Sequence, residues 1–196
     1  MRKALHGGTA LHHQTRPSPR PSRRWIRSHD EQARQDERVK QESSPPRAAD
    51  VADAGVVAAL LDAFNREFDT PTPGPAVLAT RLERLLAGGD VVVVLAGEPA
   101  MAVAVVTMRP NVWYDGPVAL LDELYVAPRS RGQGVGSALL ARVEAIAQQR
   151  GAELLEINVG GDDTDARRFY ERHGYANCEP GEEQPLLYYY RELKGA

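Results

Sequence analysis

The run LDELYVAPRSRGQGVGS, from Leu121 to Ser137, decides how this chain is read. With the three residues before it, its first part reads as a strand, Val118 to Val126. Its end opens a helix that runs from about Gly134 to Arg150. Val135, Leu139, Val143, Ile146 and Ala147 give that helix a buried stripe, and Gly151 stands where a C-terminal glycine belongs. Between strand and helix lie Arg131, Gly132, Gln133, Gly134, Val135 and Gly136. Three glycines in five positions let consecutive backbone N–H groups point into one concavity with no Cβ in the way. The helix start adds its own unpaired N–H groups and partial positive charge. This segment predicts a phosphate or pyrophosphate site, with Arg129 and Arg131 adding charge.

Two other glycine motifs fit less well. A dinucleotide fingerprint needs G-x-G-x-x-G directly after the strand, but its third glycine falls on Ser137, and Ala127 to Arg131 intervene. Glu153 or Glu156 would have to serve as its ribose-binding acid. A nucleotide P-loop needs a Lys-Ser or Lys-Thr pair after its last glycine, and none follows. The plain alternative is a tight turn whose glycines serve packing.

Upstream, Asp53 is placed to cap a helix whose Val56, Val57, Leu60, Leu61, Phe64 and Phe68 share a face. Three prolines in Thr70 to Pro75 end it. A second amphipathic helix carries Val77, Leu78, Leu82, Leu85 and Leu86 and stops at Gly88-Gly89. Strands follow over Asp90 to Leu95 and Met101 to Met108, joined as a hairpin through Gly97-Glu98-Pro99. The loop Asn111 to Gly116 leads back to the strand of the opening run. Downstream, Glu153 to Val159 reads as a strand and Thr164 to His173 as a short helix, with Asp163 as its N-cap and Gly174 beyond it. Tyr175 to Cys178 and Leu186 to Leu193 complete the pattern as a closing hairpin. The order α-α-β-β-β-α-β-α-β-β predicts an α/β domain, a central mixed sheet flanked by helices.

At Arg131 to Gly136, R-G-Q-G-V-G resembles the Q/R-x-x-G-x-G/A pyrophosphate loop of the GNAT superfamily of N-acetyltransferases. The helix bearing F-Y-E-R-H-G-Y, Phe169 to Tyr175, strengthens the likeness, which covers roughly Val51 to Leu193. It implies a GNAT-like acyl-CoA N-acyltransferase fold, acetyl-CoA as cosubstrate and no metal. It places pantetheine on the backbone of Leu124, Tyr125 and Val126, and pyrophosphate on Arg131, Gly132, Gln133, Gly134, Val135, Gly136 and Ser137. The family's first strand falls on Ser43 to Arg47, a proline-containing stretch that makes a poor strand, so it is expected to be short or distorted. An Asn that the family often carries before the last helix is Asp163 here.

Acetyl transfer to an amine needs a neutral nucleophile, yet an alkylamine is mostly protonated at neutral pH. A carboxylate can hold the ammonium and then take its proton. Asp122 and Glu123 precede the cofactor-pairing residues, and strand alternation sends them to opposite faces unless a bulge intervenes. Either can be the base. The departing thiolate needs a proton donor, and Tyr170 matches the family's tyrosine, with packing as its plain alternative. His173 near a helix end suits terminal carbonyls better than substrate. The expected activity is direct transfer from acetyl-CoA to a primary amine of a small molecule or peptide. The alternatives are a non-catalytic acyl-CoA-binding sensor or partner domain, and a nucleotide-binding α/β protein. The resemblance also allows a homodimer.

Composition sets the outer bounds. The 196 residues carry 24 Lys and Arg against 27 Asp and Glu, a net charge of −3. Residues 1–49 hold 11 of the bases and only 5 of the acids. This reads as a disordered Arg/Ser/Pro-rich tail, residues 1–48, ahead of one acidic domain, residues 49–196. His6, His12 and His13 in the tail lack partners at a metal-ligand spacing. One cysteine, Cys178, excludes an internal disulfide and favours a reducing, cytoplasmic setting. No apolar run approaches the ~18 residues of a membrane span, and neither nucleic acid nor membrane is an expected partner. All the recognised chemistry falls in the acidic domain, so deleting residues 1–45 should leave acetyl-CoA affinity unchanged by calorimetry. A large loss would make the tail part of the site.

Overall fold

The computed structural model describes residues 44–193. The expected tail lies outside the described residues except for Ser44 to Ala48, as do His6, His12 and His13. Four consecutive valines, Val91 to Val94, leave no polar face, so both sides of their strand must be covered. In β2 (Val91–Ala96), Val92 and Val94 face one apolar cluster while Val93 and Leu95 face another. β3 (Ala102–Arg109) repeats the division: Ala104 and Val106 on one side, Val103 and Val105 on the other. Helices α1 (Ala54–Glu67) and α2 (Pro75–Gly88) cover the second face. Helix α3 (Val135–Gln149) covers the first, with Leu139, Leu140 and Val143 fully enclosed.

The sheet has five strands in chain order, from β1 (Arg47–Ala48) through β4 (Val118–Val126) to β5 (Leu154–Ile157). The first four pair antiparallel, and β4 pairs with β5 in parallel. The mixed α/β sheet expected from the element order is therefore present, with helix α4 (Thr164–Arg172) following β5. β1 is two residues long, since Pro45 and Pro46 before it have no N–H to add to a ladder. It belongs to the sheet although it falls in the stretch read as tail.

Two expectations change. Asp53 stands at the N-cap position of α1 but its carboxylate makes no cap bond to that helix. It accepts both Nη atoms of Arg47 at 2.7 Å and the Asp50 N–H at 2.9 Å, tying β1 to the turn that enters α1. The closing hairpin does not form among the described residues: no strand follows β5. One bond, Leu186 N–H to Asn177 C=O at 2.7 Å, joins its two halves. Leu186 to Tyr190 are 62–83% exposed. A hairpin with no buried face has too little to hold its register. No helix among the described residues is long and apolar enough to cross a membrane.

Arg47 holds the Asp53 carboxyl at about 2, below its ordinary 3.8. A depressed carboxylate stabilises the fold in full above its unfolded value and loses that contribution as pH falls through the folded one. Asp53→Asn should therefore lower the melting midpoint at neutral pH by about 2–4 °C. In circular-dichroism melts the variant should also show a shallower decline from 3.8 down to about 2 than the parent.

Candidate active site

The site begins with a fault in β4. Val105 pairs with Glu123 but its neighbour Val106 pairs with Leu121, so Asp122 is an extra residue, a β-bulge. Leu121 and Leu124 both turn toward the α3 face, and Tyr125 turns toward α1. Asp122 and Glu123, lying between the two leucines, therefore share the α1 face. Alternation alone forbids that; the bulge brings both expected acids to one side. Asp122 is anchored there, its Oδ2 accepting the Thr107 hydroxyl at 2.5 Å. Glu123 is half-buried, and desolvation, then the Asp122 charge beside it, raises its pKa.

Pairing between β4 and β5 stops at the same place. The last registered pair is Leu121 with Ile157, while β4 runs on to Val126. The Ala127 N–H donates to Met101 C=O at 2.9 Å, so alternate residues of the antiparallel pair fix the rest. Ala127 and Tyr125 point their backbone groups at β3, whereas Leu124 and Val126 point theirs into the gap β5 has left. Of the three residues expected to pair with pantetheine, Leu124 and Val126 offer backbone there. Tyr125 does not. Its side chain is buried, with its ring 5.2 Å from Phe64 of α1.

The gap opens into a cleft of about 780 Å³. Asp122, Glu123, Leu124, Tyr125, Val126, Arg131, Gly132, Gly134, Gly136, Ser137 and Tyr170 line it, as do Ile157 to Gly160 opposite. Gly132 and Gly134 have φ of +72° and +81°, a conformation L side chains rarely adopt. Gly134 is the N-cap of α3, which has no side-chain cap of its own. The first N–H groups of that helix are thus left for a ligand.

Gln133 and Val135 are not among the lining residues. Gln133 folds back to donate to Arg129 C=O at 3.0 Å, and Val135 packs on the core.

Arg131 behaves unlike a free phosphate-binding cation. Its Nε donates to Val126 C=O at 2.9 Å. Its two Nη atoms meet the Glu67 carboxylate at 2.7 and 2.9 Å. Its guanidinium lies 5.8 Å from the Tyr125 ring centroid. Glu67 is held below the usual carboxylate range by this contact. Arg131 thus fastens the end of α1 to β4, and its guanidinium is engaged within the chain rather than standing free in the loop as expected.

Tyr170 lies on α4, where Asp163 caps the helix by accepting from Ala166 N–H at 2.9 Å. Burial first, then the charges of Asp163 and Glu123, push its hydroxyl up to about 12. It remains a proton donor at neutral pH. His173 and Ser137 also meet: Nδ1 is 2.7 Å from Phe169 O and Nε2 is 2.9 Å from Ser137 Oγ. Phe64, Glu67, Phe68, Asn158, Asp165 and Arg172 also line the cleft, though none of them is expected in the site from sequence. The α1 phenylalanines read as core because they share its apolar stripe, and nothing local marks Glu67 as the partner of Arg131. Among the described residues, no cluster of His, Cys, Asp and Glu is placed to hold a metal.

A family model described as "Acetyltransferase (GNAT) family" matches residues 57–175. The crystal structure of a provisionally named acetyltransferase from Arthrobacter sp. FB24 is 61% identical, covers 76% of this chain and 96% of its own, and has a TM-score of 0.73. An aminoalkylphosphonate N-acetyltransferase of Salmonella typhimurium is 51% identical over 55 residues, 28% of this chain and 36% of that one. The chain thus aligns with about a third of that relative's length. A structure from Clostridium acetobutylicum, named as an acetyltransferase with acetyl-CoA, shares the fold at 19% identity and a TM-score of 0.59, over 73% of this chain and 94% of that one.

A Cβ on Gly134 would meet nothing within 4 Å, so only its positive φ forbids one. Gly134→Ala should weaken binding of coenzyme A, the pyrophosphate ligand the resemblance implies, by about tenfold, as ~1–2 kcal/mol of strain turns the loop N–H groups away. Gly55→Ala, in open space on α1, is the control and should bind normally in calorimetry.

Proposed function

The chain belongs to the acetyltransferase (GNAT) family, and from that premise we propose that it transfers the acetyl group of acetyl-CoA directly to a primary amine of a small molecule or peptide. The observation that carries this reading is the open edge of β4 at Leu124 and Val126, lying between the glycine cradle and the group formed by Asp122, Glu123 and Tyr170. An extended amide-bearing ligand finds strand-like partners in the free backbone of Leu124 and the Val126 N–H, since the Val126 carbonyl already accepts from Arg131. The Gly132-to-Ser137 turn and the start of α3 receive the pyrophosphate. Acetyl-CoA supplies the activated acyl group.

The chain's own residues handle the protons. Glu123 takes the base's role in this reading. Its burial raises its basicity toward what an ammonium proton requires, whereas Asp122 is already engaged by Thr107. Asp122, on the same face, holds the incoming ammonium. Tyr170 keeps its proton at neutral pH and donates to the leaving sulfur. Glu67 is neutralised by Arg131, so Asp122 and Glu123 supply the charge that draws a cationic acceptor. The single cysteine accords with a cytoplasmic setting.

Thiol release should be followed across polyamines, aminoglycosides, amino acids, peptides and an aminoalkylphosphonate, the last because the Salmonella relative's name joins an amine to a phosphonate. On the best acceptor, Tyr170→Phe should lower kcat about 100-fold with acetyl-CoA affinity unchanged. In kcat/KM the acidic limb should lie above the ordinary carboxylate range and disappear in Glu123→Gln. Coenzyme A binding without turnover on any amine would replace this reading with that of an acyl-CoA sensor.

A further inference from the structure

We propose that His173 sets the polarity of the Ser137 hydroxyl, and so makes pyrophosphate binding tighten as its ring is protonated. The inference rests on the cofactor reading above and concerns how that cradle is tuned. The starting point is a constraint of chemistry. The His173 Nδ1 lies 2.7 Å from the Phe169 carbonyl oxygen, which can only accept, so Nδ1 carries a hydrogen. In the neutral ring Nε2 is then a bare acceptor. The Ser137 Oγ, 2.9 Å away, must give its single hydrogen to it.

Ser137 lines the cleft at the first turn of α3, among the N–H groups left for an anion. With its hydrogen committed to His173, its hydroxyl turns only lone pairs toward the cradle. That is the wrong polarity for a phosphate oxygen. Protonation reverses the bond: Nε2–H donates to Oγ, and the hydroxyl hydrogen is released toward the ligand. The cradle gains one donor and one nearby positive charge, with no backbone movement.

The surroundings leave this exchange to the pair. Phe169 meets one face of the ring at a tilt, its centroid 4.5 Å away, and His173 is otherwise exposed. Among the described residues no carboxylate lies within salt-bridge distance of His173, and the first turn of α3 carries no ionisable side chain. On α4, Arg168 pairs with Asp165 at 3.9 Å, Arg167 donates to Gly161 C=O, Arg172 lines the cleft and Glu171 is exposed. Tyr170 remains neutral, and Arg131 is bound to Glu67. Imidazole is the side chain whose charge changes across the physiological range.

The test uses the full chain and 3′-dephospho-coenzyme A, whose pyrophosphate keeps its charge across the range studied and which lacks the titrating 3′-phosphate. Calorimetric affinities are taken at constant ionic strength from about pH 5.5 to 8.5. The parent should bind about tenfold tighter at the acid end. His173→Gln should be flat within about twofold, and Ser137→Ala should keep only the charge effect, about two- to threefold. Equal slopes in parent and His173→Gln, or no slope in the parent, overturn the inference and leave the cofactor reading standing. No binding at any pH overturns both.

Discussion

A strand cannot leave its backbone dry and unpaired, and β4 is built to leave one stretch of backbone waiting. Up to Leu121 it is held on both sides, by β3 and by β5. Beyond the extra residue at Asp122, β3 stays and β5 departs. The rest of the site depends on that parting. It opens the cleft and exposes the backbone of Leu124 and Val126, while the bulge at the same place turns two acids the same way. It also puts the strand's end beside a helix start with no cap of its own. Backbone groups at fixed positions recognise a ligand through its amides and phosphates, and such recognition needs few particular side chains.

The electrostatics follow the same economy. The loop's most conspicuous cation, Arg131, is withdrawn from the ligand by Glu67 and the Val126 carbonyl. In the proposed reading, the N–H dipoles of the turn and helix start carry most of the attraction for an anion, and they need no counter-charge. The acids that stay unneutralised, Asp122 and Glu123, stand on the opposite side of the strand from Leu121 and Leu124. On the proposed reading, cofactor and acceptor would be addressed by different kinds of charge on different sides of one strand.

Much of this was legible in sequence. The glycines of Gly132 to Gly136, the valines of β2 and the stripe of α3 are local patterns, and local patterns declare themselves. Tyr170 and the two acids stood out because the chemistry needs them and a resemblance marked the positions. What stayed hidden depends on distant partners. The bulge at Asp122 is visible only in the register with β3. The Glu67 contact joins residues 64 apart. The mutual grip of His173 and Ser137 spans 36 residues and two helices. The closing hairpin failed for the converse reason: Tyr188 to Tyr190 has strand-like composition, but composition does not supply a neighbour to pair with.

The Arg131–Glu67 tie also orders events in time. During synthesis α1 emerges first and must wait for β2, β3 and β4 before its end can be fastened. Loops of that length close slowly relative to helix formation. The wall of the cleft nearest α1 therefore cannot be secured before Arg131 is made, and a chain released before Arg131 has the helix but not the latch. The Gly132-to-Ser137 turn, β5 and α4 follow Arg131 in the chain, so the opposite walls of the cleft are made after that latch.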